Sequence, residues 1–211
     1  MKMTRTDCMI SQFDSLLRVL SPQAVQPLRS SPAHEASDGA MAPGTRRISS
    51  SWVRGHYTQA LCLQALYQGQ ALAARQTRVQ QNVLQVAGEQ WDQLGWCRQR
   101  LAELGGRTSL LDPILYISAM SLSAASSRLD EAAGLGFVHA ATEATRRQSE
   151  HVIRELPEDD RRSRAIFQAM QGDDAHHGRQ MLEGGARAWA SPARWGLGVL
   201  VRSVAFAARR V

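Results

Sequence analysis

Apolar residues recur at intervals of three and four along most of the chain, which is the spacing of a helix with one buried face. This spacing predicts helices over about 51–75, 79–104, 114–127, 137–156, 159–183 and 192–211. Gly105-Gly106, Pro157 and Gly184-Gly185 stand where three of these helices should end, because glycine and proline terminate helices. No segment alternates between apolar and polar residues as a strand does. The sequence therefore predicts an all-α fold.

Two segments before the first long helix have a different character. Residues 1–20 place Ile10, Phe13, Leu16 and Leu20 at helical spacing, which predicts a short amphipathic segment and leaves either Met1 or Met9 as the start. Residues 21–51 are rich in Ser, Pro, Ala and Gly and predict a flexible linker. A helical bundle is expected over 52–185 and a separate helix over 192–211.

The positive charge of the chain comes almost entirely from arginine. The net charge is +6 over 211 residues, and Lys2 is the only lysine. Arginine binds phosphate well, which leaves nucleic acid and anionic lipid both open on composition alone. No aromatic stacking platform or helix-turn-helix pattern accompanies the charge, so we expect no nucleic-acid partner.

The apolar runs of the chain fall short of a membrane span. No stretch approaches the ~18 consecutive apolar residues of a transmembrane helix, and 1–20 lacks the apolar region of a signal peptide. The sequence therefore predicts a cytoplasmic protein that can lie on the inner (cell) membrane.

The C-terminal segment combines arginine with large apolar residues. No acid follows Glu183, and Trp189, Leu197, Leu200 and Phe206 alternate with arginines. A basic face opposite an apolar face with tryptophans is typical of an interfacial membrane helix. The alternative is a packed terminal helix with a solvated basic side. The residues expected at a membrane surface are Arg194, Trp195, Arg202, Arg209 and Arg210.

Six short motifs resemble one protein family in order and spacing. They are QALYQGQ at 64–70, WDQLGWC at 91–97, DPILY at 112–116, LGFV at 135–138, RSRAI at 162–166 and MQGDDAHH at 170–177. Together they resemble the demethoxyubiquinol hydroxylases of ubiquinone biosynthesis over about 46–211. The resemblance implies a ferritin-like four-helix bundle with a membrane-facing apolar hairpin. It also implies two irons per chain, and a quinone and other ubiquinone-biosynthesis proteins as partners.

The resemblance also implies where the iron ligands of the family should fall. In such bundles, single glutamates and Glu-x-x-His pairs point inward from four helices. The ligand-equivalent positions of this chain are Ala60, Gln90, Gln93, Thr142, Asp174 and His177. Only the last two are good ligand types. Two irons carry at least four positive charges, and one carboxylate cannot balance them in a buried site. The sequence therefore predicts that a conventional di-iron centre is absent.

Three other arrangements of these residues are open. The first is a metal site shifted by one residue, to Glu89, Asp92 and Glu143. One residue turns a helix by about 100°, so the side chains of Glu89 and Asp92 are instead expected to be solvated acids. A single metal could be held by Asp174 and His177 with His139 or Glu143. Alternatively, Gln90, Gln93, Asp174 and His177 form a polar network.

Three functions follow from these observations. The first is an inactive relative of the hydroxylase that keeps the fold, the membrane surface and a quinone groove, with no cofactor. The second is an active monooxygenase that uses two irons, oxygen and a reductant. The third is a decayed gene product.

Overall fold

The computed structural model describes residues 26–210 together with Asp14, Ser15, Leu17 and Val19. The described residues contain six α-helices and a short 3-10 turn, Pro32–Glu35, and no strand, which confirms the all-α prediction. Most of the segment predicted over 1–20 lies outside the described residues. The helices are α1 (Pro43–Ala73), α2 (Thr77–Glu103), α3 (Asp112–Leu129), α4 (Glu131–Glu155), α5 (Arg161–Glu183) and α6 (Ser191–Ala208).

Helices α1, α2, α4 and α5 form the central bundle, as a ferritin-like fold requires. Short connections make hairpins of α1–α2 and of α4–α5. Gln90 and His177 join α2 to α5, and Tyr67 and Thr142 join α1 to α4. Two apolar clusters fill the interior, one containing Leu61, Leu94 and Phe167 and the other Leu63, Val86 and Val138.

Helix α1 begins at Pro43, eight residues earlier than the predicted start at 51. Proline suits the first helical turn because its fixed φ is helical and its missing N–H is not needed there. Residues 43–51, which the sequence assigned to a flexible linker, are therefore helical. The preceding stretch lies against α2, where the N–H groups of Leu28 and Arg29 donate to Asp92 Oδ1 over 2.5 and 3.3 Å.

Helix α4 begins at Glu131, six residues before the predicted start at about 137, and Gly134 and Gly136 do not break it. Both glycines lie within the helix. They are small because neighbouring chain comes close: a Cβ atom at Gly134 would collide with Ser127, and one at Gly136 with the carbonyl of Arg187. The chain instead turns at Asp130, whose Oδ1 accepts a hydrogen bond from the N–H of Ala133 at 3.1 Å.

Helices α3 and α6 pack on the outside of the bundle. Helix α3 lies along α1, with Thr58 Oγ1 donating to Asp112 Oδ1 at 2.6 Å and Ser123 Oγ to the carbonyl of Leu66 at 2.7 Å. Helix α6 contacts α1 and α4. Within the described ranges, none of the helices combines the length and apolar character that crossing a membrane requires.

Candidate functional site

The six ligand-equivalent positions all lie in the bundle interior. Each of these side chains is 0 or 1% exposed. They come from four helices: Ala60 from α1, Gln90 and Gln93 from α2, Thr142 from α4, and Asp174 and His177 from α5. Direct contacts join Gln90, Asp174 and His177, and the hydroxyl of Tyr67 lies 2.8 Å from Thr142 Oγ1. We call this set of interior side chains the polar layer.

His177 is held as a neutral imidazole. Gln90 Nε2 donates to its Nδ1 at 3.3 Å, and His177 Nε2 lies 2.9 Å from Glu89 Oε2. These partners require the tautomer with hydrogen on Nε2. Burial lowers the pKa of His177, while the Glu89 carboxylate opposes that shift. Both ring nitrogens are therefore engaged in hydrogen bonds.

Asp174 is the one carboxylate at a ligand-equivalent position. Its Oδ1 accepts a hydrogen bond from Gln90 Nε2 at 3.4 Å. Burial raises the pKa of Asp174 to about 7. Hydrogen bonds from Gln90 and Gln93 oppose this shift, and the nearby charge of Asp173 adds to it. An acid with this pKa is substantially protonated near neutral pH, so this interior carries little negative charge.

Glu89 and Asp92 are not the solvated acids that the sequence predicted. Burial disfavours the charge on Glu89, but hydrogen bonds from His177 and Gln85 outweigh it and lower the pKa of the carboxyl. Asp92 is only 5% exposed and forms an ion pair with Arg29 Nε at 2.8 Å. The flank of α2 was expected to face solvent, but α5 and the stretch around Arg29 cover it.

His139 and Glu143 bond to partners outside the Asp174–His177 cluster. His139 Nδ1 donates to the carbonyl of Gly178 at 3.1 Å, and Glu143 pairs with Arg146 at 3.2 Å. Both line a surface groove between α4 and α6. Among the described residues, no group of three or more His, Cys, Asp or Glu side chains is placed to hold a metal ion.

Tyr67 and Gln64 belong to the polar layer and were missed from the sequence. Ala60, Gln64 and Tyr67 are spaced by four and three, so they share one face of α1, and this spacing was the available signal. Both amide atoms of Gln64, and the amide oxygens of Gln90 and Gln93, have no hydrogen-bond partner within the described part of the chain. These unpartnered atoms are neutral.

The donor set of the polar layer does not fit two irons. The Nδ1 lone pair of His177 and Oδ1 of Asp174, two potential metal-binding atoms, accept hydrogen bonds from Gln90. The remaining interior oxygens belong to amides and hydroxyls, and these cannot balance four or more positive charges.

An apolar groove lies between α1, α3, α4 and α6. Its volume is about 240 Å³. Leu122 of α3 and Leu200 of α6 line it and are each more than half exposed, so they mark its mouth. Polar atoms enter only from Gln59, Ser118, Thr145 and the thiol of Cys62. We call this cavity the apolar groove.

The arginines predicted at a membrane surface occupy two kinds of position. Arg194, Trp195 and Arg202 are exposed near the start and middle of α6. Arg209, by contrast, is half-buried, with its guanidinium 3.3 Å from the centre of a Trp52 ring. Arg210 lies over Phe206 at 4.0 Å. Arg202 and Arg209 are seven residues apart and lie near one face of α6. Helix α1 covers Arg209 through Trp52 and leaves Arg202 exposed.

Comparison with known proteins identifies similar chains. The family model described as "Ubiquinone biosynthesis protein COQ7" matches residues 49–208. A 3-demethoxyubiquinol 3-hydroxylase of Chromohalobacter salexigens is 39% identical over 196 residues, covering 93% of this chain and 92% of the relative. Those of Azotobacter vinelandii and Stutzerimonas stutzeri are 37% and 34% identical, covering 92% and 97% of this chain and 91% and 95% of the relatives.

Proposed function

The chain belongs to the COQ7 family of ubiquinone biosynthesis proteins, and we propose that it binds a quinone or quinol of that pathway without hydroxylating it. The observation that carries this proposal is the polar layer. Four of its six ligand-equivalent positions hold Ala60, Gln90, Gln93 and Thr142, none of which supplies a carboxylate or an imidazole. The protein thus keeps the fold of the family and lacks its two-iron chemistry.

Electrostatics supports the loss of hydroxylation. Hydroxylation by a di-iron protein requires a reducible metal centre that is open to oxygen. Asp174 and His177 would leave most of the charge of two irons uncompensated, which costs several kcal/mol for each buried charge. Glu89 cannot make up the deficit, because it is one carboxylate and is hydrogen-bonded to His177.

The apolar groove supports retention of the quinone. A quinone with an isoprenoid tail needs an apolar channel with a few hydrogen-bonding groups for its ring oxygens. Thr145 and the Oε1 atom of Gln59, which has no hydrogen-bond partner within the described residues, supply such groups in a mostly apolar wall. Gln59 and Ala141 in the lining of the groove directly precede Ala60 and Thr142 in the chain.

The outer faces of α3 and α6 support a place on the membrane surface. Ile114, Ile117 and Leu122 of α3 are 67, 46 and 54% exposed, and Trp195 of α6 is 71% exposed. Exposed apolar side chains of this kind suit the boundary of a lipid bilayer. We therefore place the protein peripherally on the inner membrane, where it meets other enzymes of ubiquinone biosynthesis.

Iron loading tests the proposal directly. After anaerobic reconstitution with Fe²⁺ and desalting, we expect far less than one iron per chain by elemental analysis, and no hydroxylated product from demethoxyubiquinol with a reductant. The Chromohalobacter relative, loaded in parallel, is the positive control. Two tightly held irons together with product would overturn the proposal and establish an active hydroxylase. A chain that cannot be recovered folded would instead favour a decayed gene product.

Filling the apolar groove should weaken quinone binding. Ser118 is an exposed residue of α3 that lines the groove, so Ser118→Trp is expected to weaken binding of a short-chain ubiquinone by about tenfold or more, or ~1.4 kcal/mol. Ser121→Trp, also on an exposed position of α3 but outside the lining, is the matched control and should bind normally. Equal binding by both variants, measured by equilibrium dialysis, would place the ligand elsewhere.

A further inference from the structure

A second groove, between α4 and α6, concentrates positive charge. Its volume is about 490 Å³. Helix α4 contributes Arg147 and Arg154, and α6 contributes Arg194 and Arg202. All four of these arginines are exposed. We call this cavity the basic groove.

The arginines of the basic groove are not neutralised by the residues that the structure describes. None of the four forms an ion pair with a carboxylate in the described part of the chain, and Arg194 donates only to Ser191 Oγ, at 3.1 Å. Glu143 is the one acid in the lining, and its carboxylate pairs with Arg146. Some arginines elsewhere are paired, for example Arg29 with Asp92 and Asp173. The basic groove therefore holds several uncompensated cations.

Helix α6 adds to this positive field. It begins at Ser191 with no side chain capping its first turn, and Arg194 and Trp195 of the first turns line the groove. Uncapped N–H groups give the start of a helix a partial positive charge that favours anions. Four like charges and a helix start in one cavity repel each other, and a multivalent anion would relieve that repulsion.

We propose that the basic groove binds a ligand bearing phosphate, either a diphosphate in solution or the headgroup of an anionic phospholipid. Phosphate oxygens match the planar fork of arginine, and guanidinium groups from α4 and α6 approach them from two sides. The other side of α6 lines the apolar groove through Leu197 and Leu200. A lipid headgroup in the basic groove would therefore lie close to an apolar surface. Binding at the basic groove requires neither iron nor a quinone, so its test is separate from the tests of iron loading and quinone binding.

Calorimetric titration with inorganic pyrophosphate tests the soluble ligand. Sedimentation with phosphatidylcholine vesicles, with and without phosphatidylglycerol, tests the headgroup. In both assays the full-length protein is compared with Arg147→Gln/Arg202→Gln at physiological ionic strength. The matched control is Arg78→Gln/Arg107→Gln, which removes the same charge from two exposed arginines outside the groove.

The groove variant should weaken binding by at least about tenfold, because two charge-assisted contacts are lost, while the control binds normally. If the groove variant binds pyrophosphate more weakly, the ligand of the groove is a soluble diphosphate. If only its binding to phosphatidylglycerol vesicles is weakened, the ligand is a lipid headgroup. Equal weakening in both variants would reduce the effect to net charge and overturn the site. Failure of the wild-type protein to bind either probe would overturn it as well. Thermal midpoints equal to that of the wild type would show that the variants are folded.

Discussion

Replacing Arg100 by alanine is expected to destabilise the protein by about 3–5 kcal/mol, because it breaks a buried ion-pair network. Arg100 is 2% exposed and forms ion pairs with Asp160 at 2.6 Å, Asp38 at 2.8 Å and Glu103 at 2.9 Å. Its Nε also donates to Ser163 Oγ at 2.9 Å. Without the guanidinium, the fully buried carboxylate of Asp160 would lack its cation.

The same arginine connects three parts of the molecule. Asp160 accepts the N–H of Ser163 at the start of α5, Arg100 belongs to α2, and Asp38 lies in the stretch that precedes α1. Urea unfolding of Arg100→Ala, with exposed Arg107→Ala as the control, measures the effect. The control should lie within ~0.5 kcal/mol of the wild type. A loss below about 1 kcal/mol for Arg100→Ala would mean that the carboxylates regain water.

Replacing Asp174 by asparagine is expected to stabilise the protein at pH 8, by up to about 4 kcal/mol. The pKa of Asp174 in the folded chain is raised by burial to about 7, against 3.8 for an ordinary aspartate. The folded chain therefore keeps a proton that the unfolded chain releases between about pH 4 and pH 7. Stability of the wild type falls as pH rises through that window and stays low above it. Asparagine cannot ionise, so the stability of the variant should not fall in this pH range.

This result also bears on the iron question. In a protein that used Asp174 as a metal ligand, Asp174→Asn would weaken the metal site and destabilise the loaded form. In a metal-free polar layer, the amide can still accept the hydrogen bond from Gln90. Asp173→Asn is the control, because it gives up an ion pair with Arg29 at 2.6 Å and should not stabilise. Destabilisation by Asp174→Asn at pH 8 would therefore count against the proposed function.

Helix α2 shows which side-chain positions the helical spacing of apolar residues can predict and which it cannot. Val83, Val86 and Leu94 mark one stripe of that helix, and the stripe correctly placed Gln90 and Gln93 inside the bundle. The same reasoning failed for Asp92, which was placed in solvent. Periodicity identifies the face that a helix turns toward its own bundle, but it carries no information about a distant segment that covers another face.

The helices, their approximate ends and the residue types at the six ligand-equivalent positions can be read in the chain because they depend on local spacing and on residue type. The earlier start of α4 could not be predicted, because two glycines close together indicate the end of a helix. Only the contacts of Gly134 with Ser127 and of Gly136 with Arg187 explain why glycine is needed there. The environments of Glu89 and His177, 88 residues apart, and the meeting of α4 and α6 arginines in one groove also needed the folded structure. Such contacts join residues far apart in sequence, and their geometry depends on how whole helices pack.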